Sequence, residues 1–103
     1  MELKEIEEIL ISFREKRGWK KYHKPKNLAI SIAIEVGELL ELFQWKSDEE
    51  IENLLEDENY REKIGEEISD VVIYAILLAH ECRIDLDSAL LKKMEVNERK
   101  YPA

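Results

Sequence analysis

At 103 residues and 12.2 kDa the chain has the length of one domain and no room for a second. Acids outnumber bases 24 to 16, and a net charge of −8 argues against duplex nucleic acid as the main partner, because binding it depends on Lys and Arg neutralising phosphates. With 45% apolar and 39% charged residues, the composition is that of a soluble globular chain rather than a disordered one.

The first stretch, MELKEIEEILISF, is amphipathic and acidic, unlike a secretory signal, and no apolar run approaches the ~18 residues a membrane span needs. A cytoplasmic, membrane-free location is the expectation. Cys82 is the single cysteine, so no internal disulfide can form, and no Cys/His cluster suggests zinc. Cys82 itself is expected in the core.

No segment alternates apolar and polar residues as a half-buried strand does, so the expected class is all-α, one domain over residues 1–103. Leu3, Ile6, Leu10 and Phe13 recur at helical spacing, predicting a first helix over about 2–17, with Gly18 placed as the glycine that follows a helix end. Residues 14–26, REKRGWKKYHKPK, then hold seven Lys or Arg against one acid. They read as a solvated basic linker or as an anion-facing loop, with Trp19, Tyr22 and His23 able to stack on a planar ligand. Pro25 can open the second helix, since its missing N–H is not needed in a first turn.

Leu28, Ile32, Leu39 and Leu42 form that helix's apolar stripe, and Glu35 falls on the same stripe with Glu38 at its edge. Ser47 with Glu50 has the spacing of a capping box, opening a short acidic helix through Leu55. Asn59 with Glu62 repeats that spacing and predicts the start of the third long helix. Its segment Val71–Ala79 is apolar all round, so it belongs at the centre of a bundle or in a subunit interface. Tyr74 is expected in the core and His80 in a structural role. Asp85 or Asp87 can cap a last helix reaching about Lys100, from which Lys93, Asn97 and Tyr101 project on one side at spacings of four. The predicted fold is thus a four-helix-bundle-like core of about four main helices plus a short connecting one.

Two acid pairs carry the chemistry. Glu35 with Glu38 and Glu67 with Asp70 are each three residues apart, hence on one helix face, and each pair is embedded in apolar sequence. A carboxylate is costly to shelter unless something positive meets it. An all-oxygen, negatively charged pocket suits Mg²⁺, with Mn²⁺ as the alternative. Iron carboxylate bundles need Glu-x-x-His pairs, and neither His23 nor His80 has a glutamate three residues before it. The spacing alone is weak evidence: Glu5 and Glu8 share it and are expected on an ordinary solvated face. Gly-rich phosphate loops and nucleophile motifs are absent.

With those residues in view, the chain resembles the MazG-like all-α nucleotide pyrophosphohydrolases, most closely their dCTP pyrophosphatase branch. HKPKNLAISIAIEVGELLELFQW and EEISDVVIYAILLAHECRIDLDSALLKKMEVNERKYP carry the likeness, with ExxE followed by ExxD at Glu35, Glu38, Glu67 and Asp70. The resemblance implies hydrolysis of a nucleoside triphosphate to monophosphate and pyrophosphate, with Mg²⁺ held by those four acids and Glu35 and Glu38 at the catalytic centre. It implies phosphate or sugar contacts from Lys93, Asn97 and Tyr101, a base pocket lined by Trp19 and Trp45, and His23 near the ligand. It also implies a homodimer or dimer of dimers with sites near the subunit interface. The expected substrate is dCTP or a modified dCTP, in nucleotide-pool house-cleaning. The alternatives are a broad-specificity or dUTP-preferring enzyme, and a non-catalytic helical dimer that binds a partner through the Val71–Ala79 face.

Overall fold

Capping and turn chemistry set most helix boundaries. The structure, a computed structural model, describes residues 1–103, with α1 Leu3–Lys16, α2 Pro25–Glu41, α3 Asp48–Leu54, α4 Glu58–Glu81 and α5 Leu86–Lys100. A 3₁₀ turn, Lys20–Tyr22, lies between α1 and α2, and there is no strand, as the missing alternation predicts. No helix is long and apolar enough to cross a membrane.

Gly18 follows α1 at φ 65°, the left-handed conformation that glycine adopts without Cβ strain, and its N–H donates to the Glu15 carbonyl. Pro25 is the first residue of α2. The capping box at Ser47 is present in both directions: Glu50 N–H donates to Ser47 Oγ at 3.1 Å and Ser47 N–H to Glu50 Oε1 at 3.3 Å. Asp85, rather than Asp87, caps α5 by accepting the Ser88 N–H. That hydrogen bond is the largest cause holding the Asp85 carboxyl below its usual pKa.

Three expectations change. Asn59 lies inside α4; its N–H donates to Asp57 Oδ1 at 3.0 Å, so Asp57 is the cap and the helix starts earlier than the Asn59–Glu62 spacing suggests. Cys82 is exposed, because α4 ends at Glu81 and leaves it in the following turn. The buried line of α1 is rotated by one position. Phe13 remains 45% exposed, whereas Arg14, expected in a solvated linker, is only 2% exposed.

The chain divides into two compact units. One comprises residues 1–25 and 76–103, the other residues 26–75. In the first, Ile76, Leu77 and Ala79 are buried in the apolar run of α4, and Arg14 Nη2 donates to Glu81 Oε2 at 3.3 Å. In the second, Leu28 and Tyr60 are the buried apolar side chains. Tyr60 of α4 donates its hydroxyl to the Leu42 carbonyl at 2.6 Å and meets the Phe43 ring edge-on at 6.1 Å. This contact ties the start of α4 to the end of α2.

Candidate functional site

Within residues 26–75 the stripe of α2 turns Glu35 inward: Leu28 is buried, and Ile32, Glu35, Leu39 and Leu42 are all partly buried. One turn along, Glu38 is exposed, while Glu67 and Asp70 on α4 are both half-buried. Glu35, Glu38 and Glu67 each bring a carboxylate oxygen into a group whose members all lie within 4.8 Å of one another. Asp70 is outside that trio, yet its charge acts on both Glu35 and Glu67.

Like charges this close resist ionisation. Burial is the first cause that raises the Glu35 carboxyl, to about 7; a hydrogen bond with Glu38 and the charges of Glu38, Asp70 and Glu67 add to it. Glu67 is raised too, by burial and then by the charges of Glu38 and Asp70. No Lys, Arg or His makes an ion pair with any of the four acids. Glu35 Oε2 and Glu67 Oε2 are buried with no hydrogen-bond donor. Two orphaned acceptor oxygens in an all-carboxylate set fit the donor chemistry of a hard divalent ion such as Mg²⁺.

The other predicted contacts are spread along the chain. Trp45 follows α2 in a turn and is 85% exposed. The remaining residues belong to the unit of residues 1–25 and 76–103. Trp19 precedes the 3₁₀ turn and packs edge-on against Phe13 with centroids 5.6 Å apart, and His23 ends that turn. Lys93 and Asn97 lie on α5, exposed and half-buried respectively, and Tyr101 caps the helix by donating its N–H to the Asn97 carbonyl.

Sequence reading missed Arg14 and Tyr60. Arg14 did carry a signal, since it falls four residues after Leu10 on the apolar stripe, as Glu35 does on its own. Tyr60 had none, because its partner is a backbone carbonyl 18 residues away.

A profile of the MazG-like family matches residues 30–103. The chain is 45% identical over 101 residues to human dCTP pyrophosphatase 1 and 42% identical over 100 residues to its rat counterpart. These matches cover 98% and 97% of this chain, but it spans only 59% of the length of either relative. The crystal structure of a pyrophosphatase from Archaeoglobus fulgidus DSM 4304 is 51% identical and superposes with a TM-score of 0.85, covering 98% of this chain and 93% of that one. Profile, relatives and fold agree, and the chain belongs to the MazG-like family.

Proposed function

We propose that the chain is a nucleoside triphosphate pyrophosphohydrolase, with dCTP or a modified dCTP as preferred substrate and Mg²⁺ as cofactor (Mn²⁺ as substitute). The observation that carries the reading is the carboxylate group of Glu35, Glu38 and Glu67, with buried acceptor oxygens that no protein donor reaches. The dCTP pyrophosphatase relatives support the reaction class and the substrate.

Glu35, Glu38, Glu67 and Asp70 would hold the metal. When bound, the metal supplies charge stabilisation on phosphoryl oxygens and acidifies a water. Either Glu35 or Glu38, when ionised, can accept the proton of the attacking water as general base. Lys93 Nζ and the Asn97 amide offer donors to phosphate or sugar oxygens, and the Tyr101 phenol can do the same. The rings of Trp19 and Trp45 offer faces to the base, with His23 at the ligand. The whole of residues 1–103 acts as one domain, in a homodimer or dimer of dimers, in the cytoplasm, removing unwanted nucleotides from the pool.

The test is incubation with each dNTP and Mg²⁺, assaying pyrophosphate and orthophosphate separately. Pyrophosphate release, fastest with dCTP or a modified dCTP, is expected. Orthophosphate release would refute the reaction class, and preference for dUTP would refute the base assignment. No release from any nucleotide would favour the non-catalytic helical dimer. Glu38→Ala and Asp70→Ala should each lower turnover by at least about 100-fold with helical circular dichroism unchanged. Full activity in either variant refutes its place in the metal set.

A further inference from the structure

The outer face of α1 carries a charge pattern that nothing within the chain meets. An open groove of about 670 Å³ runs along it, lined by residues of α1 and of its C-terminal cap, Arg17. Glu5 and Glu8 stand at one end and Lys16 and Arg17 at the other, with Ile9, Ser12 and Phe13 between them, all exposed. The ion pairs of the chain are Lys4 with Asp85, Arg14 with Glu81 and His80 with Glu7, so none reaches these four charges. Arg17 donates Nη1 to the Phe13 carbonyl and lies over the Phe13 ring at 3.5 Å, which holds its guanidinium on the apolar strip. The helix macrodipole accounts for acids at the start and bases at the end, but not for the apolar strip left open between them.

The pattern is self-complementary. Ile9 and Phe13 lie two residues either side of position 11, and Glu5 and Arg17 six residues either side. Turned over about a two-fold axis at that point, the face presents its bases to the partner's acids and Ile9 to the partner's Phe13, as an isologous contact requires. A parallel pairing would set acid on acid and base on base, so the charges select the antiparallel one. Ser12, beside the axis, is small enough to admit the ~8–10 Å separation of packed helices. The surface area is sufficient: the chain exposes 8174 Å², roughly 2,000 Å² more than a monomer of its mass, against about 800 Å² that each partner covers in a stable contact.

We propose that α1 is a self-docking surface: two copies of the chain pair α1 against α1 antiparallel, with Glu5 and Glu8 of each copy facing Lys16 and Arg17 of the other. This contact rests on the homo-oligomer proposed above and not on the reaction.

The experiment is light scattering on the full chain at low ionic strength, with two variants that each give the face a single sign. Glu5→Lys with Glu8→Lys makes it basic throughout, and Lys16→Glu with Arg17→Glu makes it acidic throughout. Each variant alone should show a twofold lower mass than the wild type, because like charges then meet at both ends. An equimolar mixture of the two should recover the wild-type mass, which mixing two misfolded chains would not do. Either variant keeping the wild-type mass overturns α1 as the contact and leaves the homo-oligomer standing. A mixture that stays dissociated also overturns it, and a monomeric wild type overturns contact and homo-oligomer together. In a Cys82→Ser background, Ser12→Cys should form a disulfide-linked dimer on mild oxidation. Glu5→Cys, ~9 Å from the axis along the helix and so ~18 Å from its mate, should not. Equal cross-linking at the two positions, or none at position 12, overturns the antiparallel pairing. These cysteine variants decide the matter if a charge-reversal variant does not fold. Assembly through α1 in a chain that hydrolyses no nucleotide would refute the enzyme reading and leave the contact in place.

Discussion

Glu35 and Arg14 show the same thing with opposite signs: a charged side chain on an apolar stripe is a statement about what it must meet. Arg14 meets Glu81, whereas Glu35 meets more acid. In the metal-free protein Glu35 therefore ties proton binding to folding. Its carboxyl titrates near 7 when folded and near 4.5 when unfolded, so the native state holds the extra proton between those values. That contribution to stability is complete below about pH 4.5 and is lost as pH rises through about 7. His23, lowered from 6.5, acts in the reverse sense, losing stability as pH falls below that value. The clean readout is therefore the difference between wild type and Glu35→Gln. In chelator, the fall in melting temperature from pH 5 to pH 8 should be smaller in Glu35→Gln. Adding Mg²⁺ at pH 7.5 should raise the wild-type melting temperature and leave that of Glu38→Ala nearly unmoved. A second residue-scale prediction concerns Arg83, a non-glycine residue at φ 59°. The hydrogen bonds Ile84 N–H to Ala79 O and Arg83 N–H to His80 O form a Schellman end for α4 and force that conformation. Arg83→Gly should stabilise the chain by about 0.5–1 kcal/mol, a melting shift of about 2–8 °C in a thermal scan.

At the scale of elements, the caps were legible where a side chain satisfies its own helix. Ser47 and Glu50 are three residues apart and close their box locally, so Ser47→Ala should cost about 1 kcal/mol, measurable by chemical denaturation. The start of α4 was misread because Asp57 and Asn59 are both good caps by type, and only the path of the chain chooses between them. The rotation of α1 has a related cause. Leu3, Ile6 and Leu10 fit a stripe continued by Phe13 or by Arg14, and hydrophobicity favours Phe13. The ion pair with Glu81, 67 residues away, settles it for Arg14. Phe13 instead lies under the Arg17 guanidinium at 3.5 Å and beside Trp19, a local aromatic cluster that keeps part of its surface covered.

For the whole molecule, the apolar bookkeeping of a lone chain does not close. Its accessible surface is 8174 Å², about a third more than the roughly 6,100 Å² expected for a folded monomer of this mass. Ile9, Ile34, Leu40, Leu90, Leu91 and Met94 are all more than half exposed. Such surface marks interfaces, in keeping with the proposed homodimer or dimer of dimers. Light scattering should therefore give a mass at least twice 12.2 kDa. Leu91→Lys combined with Met94→Lys should shift the population towards the monomer if α5 lies in the contact, with the wild-type helix content retained.

The sequence by itself determined the all-α class, the order of the helices and the pairing of acids on α2 and α4, because these depend on periodicities and caps spanning a few residues. It also marked Glu35 as anomalous. Only the tertiary structure decided that Glu35, Glu38 and Glu67 converge within 4.8 Å while Asp70 acts from farther off. It alone decided that Arg14 is buried, and that Tyr60 anchors α4 to the end of α2. Local pattern fixes which face of a helix a side chain shares. Which group it meets across the fold depends on helix rotation and docking, set by partners tens of residues away.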